Sequence, residues 1–302
     1  MAEELQSRQV VNLSESINST VKHISRELSG ADFNEKRQKM ILDHIFCFTG
    51  LAGGVGTSTV VANTAYSLKK KGYSVLIIDT NIMFPIQHSL FKIKQEVSSK
   101  DFFSFLNGEC TLGECIKYPM GTELGVILAN NRGLIDLVDA ETKESANAFI
   151  EMLERVGSLF DFVLIDTNNN LNSELTNAAL YKADRIIAVM DENIECVSNY
   201  NRLTQAMTTC GIDATTIKTV MNKRTSIQYS RSTFKSFGID LIAMLPFDLG
   251  IIGSGLKGEI FCKSGESMGK TASSFINGIK DLADNIVKLS GGHSRDEVNE
   301  ED

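Results

Sequence analysis

The sequence predicts an α/β protein, a doubly wound and mainly parallel sheet with helices on both faces, preceded by a helical N-terminal extension. Three observations carry this. Apolar runs of strand type alternate with helical patterns at least six times along the chain, which is the rhythm of a parallel sheet built through right-handed crossovers. A glycine-rich turn joins the first apolar run to the first long helical stretch. With 302 residues, 42% of them apolar, the chain can bury a sizeable core.

The extension comes first. Val10, Leu13, Ile17, Val21, Ile24 and Leu28 recur at spacings of three and four, one face of a helix that Gly30 ends. Asp32 and Glu35 mark a capping box for a short second helix through Met40. Residues 1–42 are therefore expected to form helices whose apolar face packs on its own domain or on a partner. Mixed acids and bases, with no aromatic before residue 33, argue against a membrane-surface helix.

The stretch around which the rest is organised runs from Ile45 to Asp79. Ile45-Phe46-Cys47-Phe48 reads as a buried strand. Gly50, Gly53, Gly54 and Gly56 make a turn, and Thr57-Ser58-Thr59 opens a helix running to about Lys71 and stopping at Gly72. Val75 to Ile78 is a second strand, followed at once by Asp79. In such a unit the helix N-terminus presents backbone N–H groups to an anion.

The turn, Ala52-Gly53-Gly54-Val55-Gly56-Thr57-Ser58-Thr59, resembles the deviant P-loop of the MinD/ParA family of ATPases, Lys-Gly-Gly-Val-Gly-Lys-(Ser/Thr)-Thr. Every glycine is kept, and so is the hydroxyl for Mg²⁺ (Ser58). Both lysines are gone. Ala52 replaces the one that reaches the partner subunit's phosphates, and Thr57 replaces the one that reaches the β- and γ-phosphates. The family continues its second strand as Asp-x-Asp. Here Asp79 matches the first carboxylate, and Asn81 stands where the water-positioning second one would be.

Further along, residues 100–118 read as short helical pieces carrying Phe102, Phe103, Phe105 and Leu106, with Leu112 and Ile116 following. A strand is expected over Gly125–Ala129, a helix over Lys143–Val156 and a strand over Phe160–Ile165 ending at Asp166. That last segment resembles the family's Walker B region, whose carboxylate holds Mg²⁺. Asn168-Asn169-Asn170 then replaces the family's switch loop with turn-forming residues. Further strands are expected at Arg185–Met190, Ile217–Met221 and Leu241–Leu245, with helices over Ile194–Cys210 and Met268–Leu289. Asn222 matches an asparagine that the family uses to read the adenine edge, and reads equally as a strand-end turn residue. Leu256-Lys257-Gly258-Glu259 resembles the segment that closes over the adenine. The resemblance spans residues 43–290, one domain, with 291–302 as an acidic disordered tail.

The resemblance implies ATP or ADP with Mg²⁺. It places the nucleotide on Gly53, Gly54, Val55, Gly56, Thr57, Ser58, Thr59 and Asn222, and the metal on Ser58 and Asp166. Asp79 and Asn81 hold the switch positions. Lys257, Lys263 and Lys270 are candidates by position for a replacement lysine. The first functional reading is a degenerate family member with weak or absent hydrolysis that recruits or positions a larger machine of pilus, secretion or partitioning type, loosely like the TadZ/CpaE branch. It would act with a protein partner and as a homodimer. The alternative is an active ATPase cycling between monomer and nucleotide-bound dimer, binding DNA through residues 214–239.

Charge and composition bound these readings. A net charge of -8 opposes wholesale binding to nucleic acid. Residues 214–239 nonetheless carry Lys218, Lys223, Arg224, Arg231 and Lys235 with no acid after Asp213 and before Asp240, which reads as a solvated face, with a protein partner or DNA as alternatives. The cysteines form no Cys-x-x-Cys pair, and free thiols are expected rather than a metal site. The histidines are dispersed, and the tyrosines do not cluster at the C-terminus as in the tyrosine-kinase branch of this superfamily. No run approaches the ~18 apolar residues of a membrane span and no signal pattern opens the chain, so a cytoplasmic protein without an integral membrane segment is expected.

Overall fold

The computed structural model describes residues 43–96, 99–119, 123–129, 142–225, 230–264 and 270–291. The predicted N-terminal helices and the acidic tail from residue 292 lie outside these. The described strands are β1 (Ile45–Gly50), β2 (Val75–Asp79), β3 (Ile116–Lys117), β4 (Leu124–Ile127), β5 (Phe162–Asp166), β6 (Arg185–Met190), β7 (Ile217–Arg224) and β8 (Leu241–Pro246). They form one sheet in the order β3-β4-β2-β5-β1-β6-β7-β8. Every neighbouring pair is parallel except β3 with β4.

The helices are α1 (Thr57–Lys70), α2 (Gln87–Leu90), α3 (Phe102–Leu106), α4 (Leu112–Cys115), α5 (Lys143–Val156), α6 (Glu174–Lys182), α7 (Ile194–Thr209), α8 (Arg231–Ser236), α9 (Leu249–Leu256), α10 (Phe261–Ser264) and α11 (Lys270–Leu289). The connection from β1 to β2 runs one way along the sheet, whereas those from β5 to β6, β6 to β7 and β7 to β8 run the other. Right-handed crossovers in opposite directions put their helices on opposite faces. In agreement, α1 packs against α11, and α5 packs against α6. Helices thus cover both faces, which is why β1, β2 and β5 are buried at nearly every position and read as continuous apolar runs.

Local chemistry sets the ends of these elements. Gly72 adopts φ 81°, and the Tyr73 N–H reaches back to the Leu68 carbonyl at 3.2 Å, so α1 stops where a glycine allows the left-handed turn. Asp101, Ser173 and Asn193 cap α3, α6 and α7 by accepting backbone N–H groups.

The structure also corrects the sequence reading. Ile116, expected to follow a helical piece, lies instead in an antiparallel edge strand. The strand expected to end at Ala129 ends at Ile127, and the one expected to start at Phe160 starts at Phe162. Helices α2, α6, α8, α9 and α10 have no counterpart in the sequence reading.

Candidate functional site

The loop between β1 and α1 lies at the carboxyl end of the sheet, where ligands of open α/β folds bind. Gly54 and Gly56 have φ of 75° and 90°, a region that costs other residues strain. Gly56 is the N-cap of α1, and no side chain caps the first turn. The first intrahelical bond runs from the Val60 N–H to the Gly56 carbonyl at 3.0 Å. The N–H groups of Thr57, Ser58 and Thr59 precede it, in the position that favours an anion.

The loop is held from outside by its carbonyls. The Asn199 amide donates to Leu51 O at 2.6 Å and the Asn222 amide to Val55 O at 2.8 Å, while the Lys223 ammonium donates to Gly54 O. Lys223 has φ 53°, in an irregular stretch of the β7–β8 pairing. A Cβ on Gly56 would sit 2.5 Å from Asn222 Nδ2, so this glycine admits the clamp.

Asn222 therefore fastens the loop through its amide. The cation brought to the loop is Lys223 rather than the lysines expected from the C-terminal segment. Lys257 is exposed just after α9, and Lys263 lines a cavity with Leu90, Phe91 and Lys117. Nothing is described of the Lys270 side chain. The basic stretch is largely engaged within the chain, with Lys218 paired to Asp240 at 2.8 Å and Arg231 bonded to the Ile242 carbonyl at 3.4 Å.

Asp79 and Asp166 end neighbouring strands in register and are both buried. Asp79 Oδ1 accepts the Asn81 N–H at 3.0 Å, and Oδ2 accepts those of Ile86 and Gln87 at 3.3 Å. This carboxylate thereby fixes the start of α2 and delivers Gln87 to the centre. The Gln87 amide nitrogen donates to Asp166 Oδ2 at 2.8 Å and to the Ser58 carbonyl at 3.1 Å. Its other atom, Oε1, is buried and has no hydrogen-bond partner.

Burial pushes Asp166 up from 3.8 to about 6, against the hydrogen bonds from Gln87 and Ser58. Burial and the neighbouring Asp166 charge hold Asp79 well above the usual carboxylate range, against its three backbone bonds. Two buried carboxyl groups side by side, an orphaned acceptor and a hydroxyl on Asp166 are a donor set that a hard divalent cation fits. Asn81, by contrast, turns its Oδ1 to the Phe84 N–H at 3.2 Å and closes a local turn. Asn168 Oδ1 accepts from the Asn170 N–H and the Thr176 hydroxyl, each at 2.9 Å, which closes the turn expected of Asn168-Asn169-Asn170.

Gln87 and Lys223 were absent from the sequence-based site. Gln87 belongs to no motif, and only the path of the chain after Asp79 brings it in. Lys223 had one available signal, its place beside Asn222 at the end of a strand facing the loop.

Comparison with known proteins agrees with this fold. A family model described as AAA domain matches residues 43–222. A putative septum site-determining protein MinD from Oltmannsiellopsis viridis is 24% identical over 241 residues, 76% of this chain and 74% of that protein. The flagellum site-determining protein YlxH of Helicobacter pylori is 30% identical over 162 residues, 52% of each chain. Among solved structures, the septum site-determining protein MinD of Pyrococcus horikoshii complexed with Mg-ADP superposes with a TM-score of 0.69 at 20% identity, covering 82% of this chain and 97% of that one. The loop and its glycine frame, the carboxylates at the ends of β2 and β5, the sheet order and the family match lead to one conclusion: the chain belongs to the MinD/ParA-type P-loop ATPase family.

Proposed function

We propose that this chain is a nucleotide-binding spatial organiser with weak or absent hydrolysis, which recruits or positions a larger assembly. One observation carries the reading. The phosphate loop is fully shaped, yet its two family lysines are replaced by Ala52 and Thr57, and Asn81 is turned away into a local bond with Phe84. Phosphoryl transfer depends on positioning and charge neutralisation, so these losses spare binding more than turnover. The relatives' own names, septum and flagellum site-determining proteins, support a positioning role.

In this reading the phosphates of ATP or ADP lie on the N–H groups of Gly53 to Thr59, with Lys223 at the rim of the loop. Ser58 and Asp166 face Mg²⁺, and Asp79 keeps Gln87 and the start of α2 in place. When bound, Mg²⁺ supplies charge neutralisation to the phosphates. Asn222 holds the loop closed toward β7. Exposed apolar side chains lie in the segment after β2, with Phe84 75% exposed, and on α9, with Leu249 and Leu256 exposed at 73% and 87%. Exposed apolar residues of this kind suit a protein partner or a second copy of the chain. Among the described residues no helix is long and apolar enough to cross a membrane.

The test is nucleotide binding and hydrolysis measured side by side on the purified chain, alone and with its interaction partners once captured. Binding of Mg-ATP without turnover is the expected result. Turnover at the rate of a lysine-bearing family member, abolished by Ser58→Ala, would overturn the reading.

A further inference from the structure

Away from the nucleotide loop, two cysteines are brought together by a short capped turn. Cys110 lies just before α4 and Cys115 is its last residue. Between them the Thr111 N–H and hydroxyl both donate to Glu114 Oε2, at 2.7 and 2.8 Å, which winds the chain back on itself. The two sulfur atoms lie 3.0 Å apart. Cys115 is buried, its sulfur also 3.2 Å from the Asp101 carbonyl and 3.4 Å from that of Thr111. Cys110 is half-buried and reachable from solvent. An accessible thiol beside a buried one within bonding reach is the arrangement of an attacking and a resolving cysteine.

We propose that Cys110 and Cys115 form a reversible oxidation site, a dithiol that hydroperoxides convert to an intrachain disulfide. The Cys110 thiolate attacks one peroxide oxygen. The O–O bond breaks, hydroxide leaves and takes a proton as water, and Cys110 becomes a sulfenic acid. The Cys115 sulfur then attacks the Cys110 sulfur, the S–O bond breaks, and the departing hydroxide takes the Cys115 proton as a second water. The two thiols lose two electrons and two protons, and the peroxide receives them. A dithiol reductant reverses the reaction by exchange.

The electrostatics agree with this division of roles. The hydrogen bond from Cys115 draws the Cys110 thiol below its usual value, against burial and the Glu114 and Asp101 charges, with the Lys100 charge helping. The hydrogen bond to Cys110 and burial hold Cys115 up as a thiol. Elsewhere burial raises Cys47 and Cys196, which makes them slower nucleophiles in the thiolate chemistry that oxidation requires. The site leads directly into β3, whose continuation Tyr118 and Pro119 lines a cavity with Leu90 and Phe91 of the segment following Gln87.

The experiment treats the reduced full chain with hydrogen peroxide in slight excess, alkylates what remains and maps the peptides. Trypsin releases residues 101–117 as one peptide containing both cysteines. The expected result is loss of two hydrogens from that peptide before the exposed Cys210 reacts, reversed by dithiothreitol. In Cys115→Ser, a sulfenic acid on Cys110 should accumulate and be trapped by dimedone. Preferential oxidation of Cys210, or unchanged alkylation of Cys110 and Cys115 in the wild-type chain, would overturn the proposal. The wild-type peptide map decides the matter even if the variant folds poorly.

Discussion

Asp166 ties the stability of this protein to pH and to Mg²⁺ in a way that can be measured without any knowledge of its partner. Burial raises its folded value to about 6 from an ordinary 3.8. A carboxyl group raised on folding contributes stability that is fully present below its unfolded value and is lost as pH rises through the folded one. The window therefore runs from about pH 4 to just above pH 6. The difference corresponds to on the order of 3 kcal/mol. In a domain of this size that is a fall of roughly 10 °C in melting temperature.

The same carboxylate is where the site would accept Mg²⁺. The metal compensates only the ionised form, so stabilisation by Mg²⁺ should be small at about pH 5 and large at about pH 7.5. Urea unfolding across this range, with and without Mg²⁺, is the assay. Asp166→Asn is the reference, because its side-chain carbonyl can still accept from Gln87 while it does not titrate. The expected result is that the wild type loses stability relative to Asp166→Asn as pH rises through about 6, and regains it with Mg²⁺. A wild type that gains relative stability over this range without metal, or that Mg²⁺ stabilises equally at both ends, would refute the reasoning.

Other perturbations follow from the loop. Gly56→Ala forces a Cβ to 2.5 Å from Asn222 Nδ2 at φ 90°, and should cost about 1–3 kcal/mol by chemical denaturation and abolish retention on an ATP resin. Lys223→Ala removes the cation from the Gly54 carbonyl and should weaken Mg-ADP binding by calorimetry about tenfold, because the proposed reading sets its charge beside the phosphates. Thr57→Lys should tighten nucleotide binding more than it raises turnover, because Ala52 and Asn81 are unchanged; an active enzyme produced by this single substitution would contradict that.

How much of this was legible depends on what each segment answers to. The central strands could be read because burial on both faces leaves a continuous apolar run, as at Val75–Asp79 and Arg185–Met190. Helix α6 could not. Leu175, Thr176, Ala178, Ala179 and Leu180 are all buried, and the outward stripe of Glu174, Asn177, Tyr181 and Lys182 is only nine residues long and broken by an aromatic, so its helical period is faint. Helix α9 contains Gly250, Gly253 and Gly255, against intrinsic propensity; Asp248 caps its first turn at 2.7 Å, while Ser254 is its one buried residue. The two-residue strand β3 exists only through its pairing with β4.

The candidate site divides along the same line. The glycine frame, Ser58, Asp79 and Asp166 could be placed together from the sequence because each follows directly from a strand end or a helix start. Gln87 and Lys223 act through contacts across the fold, with Gln87 meeting Asp166 and Lys223 meeting Gly54, and no local spacing encodes such meetings. This division also accounts for what the loop has kept. Here Gly56 must stay bare for Asn222 to reach Val55 O, and Gly54 offers its carbonyl to Lys223 in a left-handed turn. The glycine frame is thus required by the clamp that shapes the loop as well as by the phosphate it would receive, and the loop can hold its shape without the residues that make relatives turn over ATP.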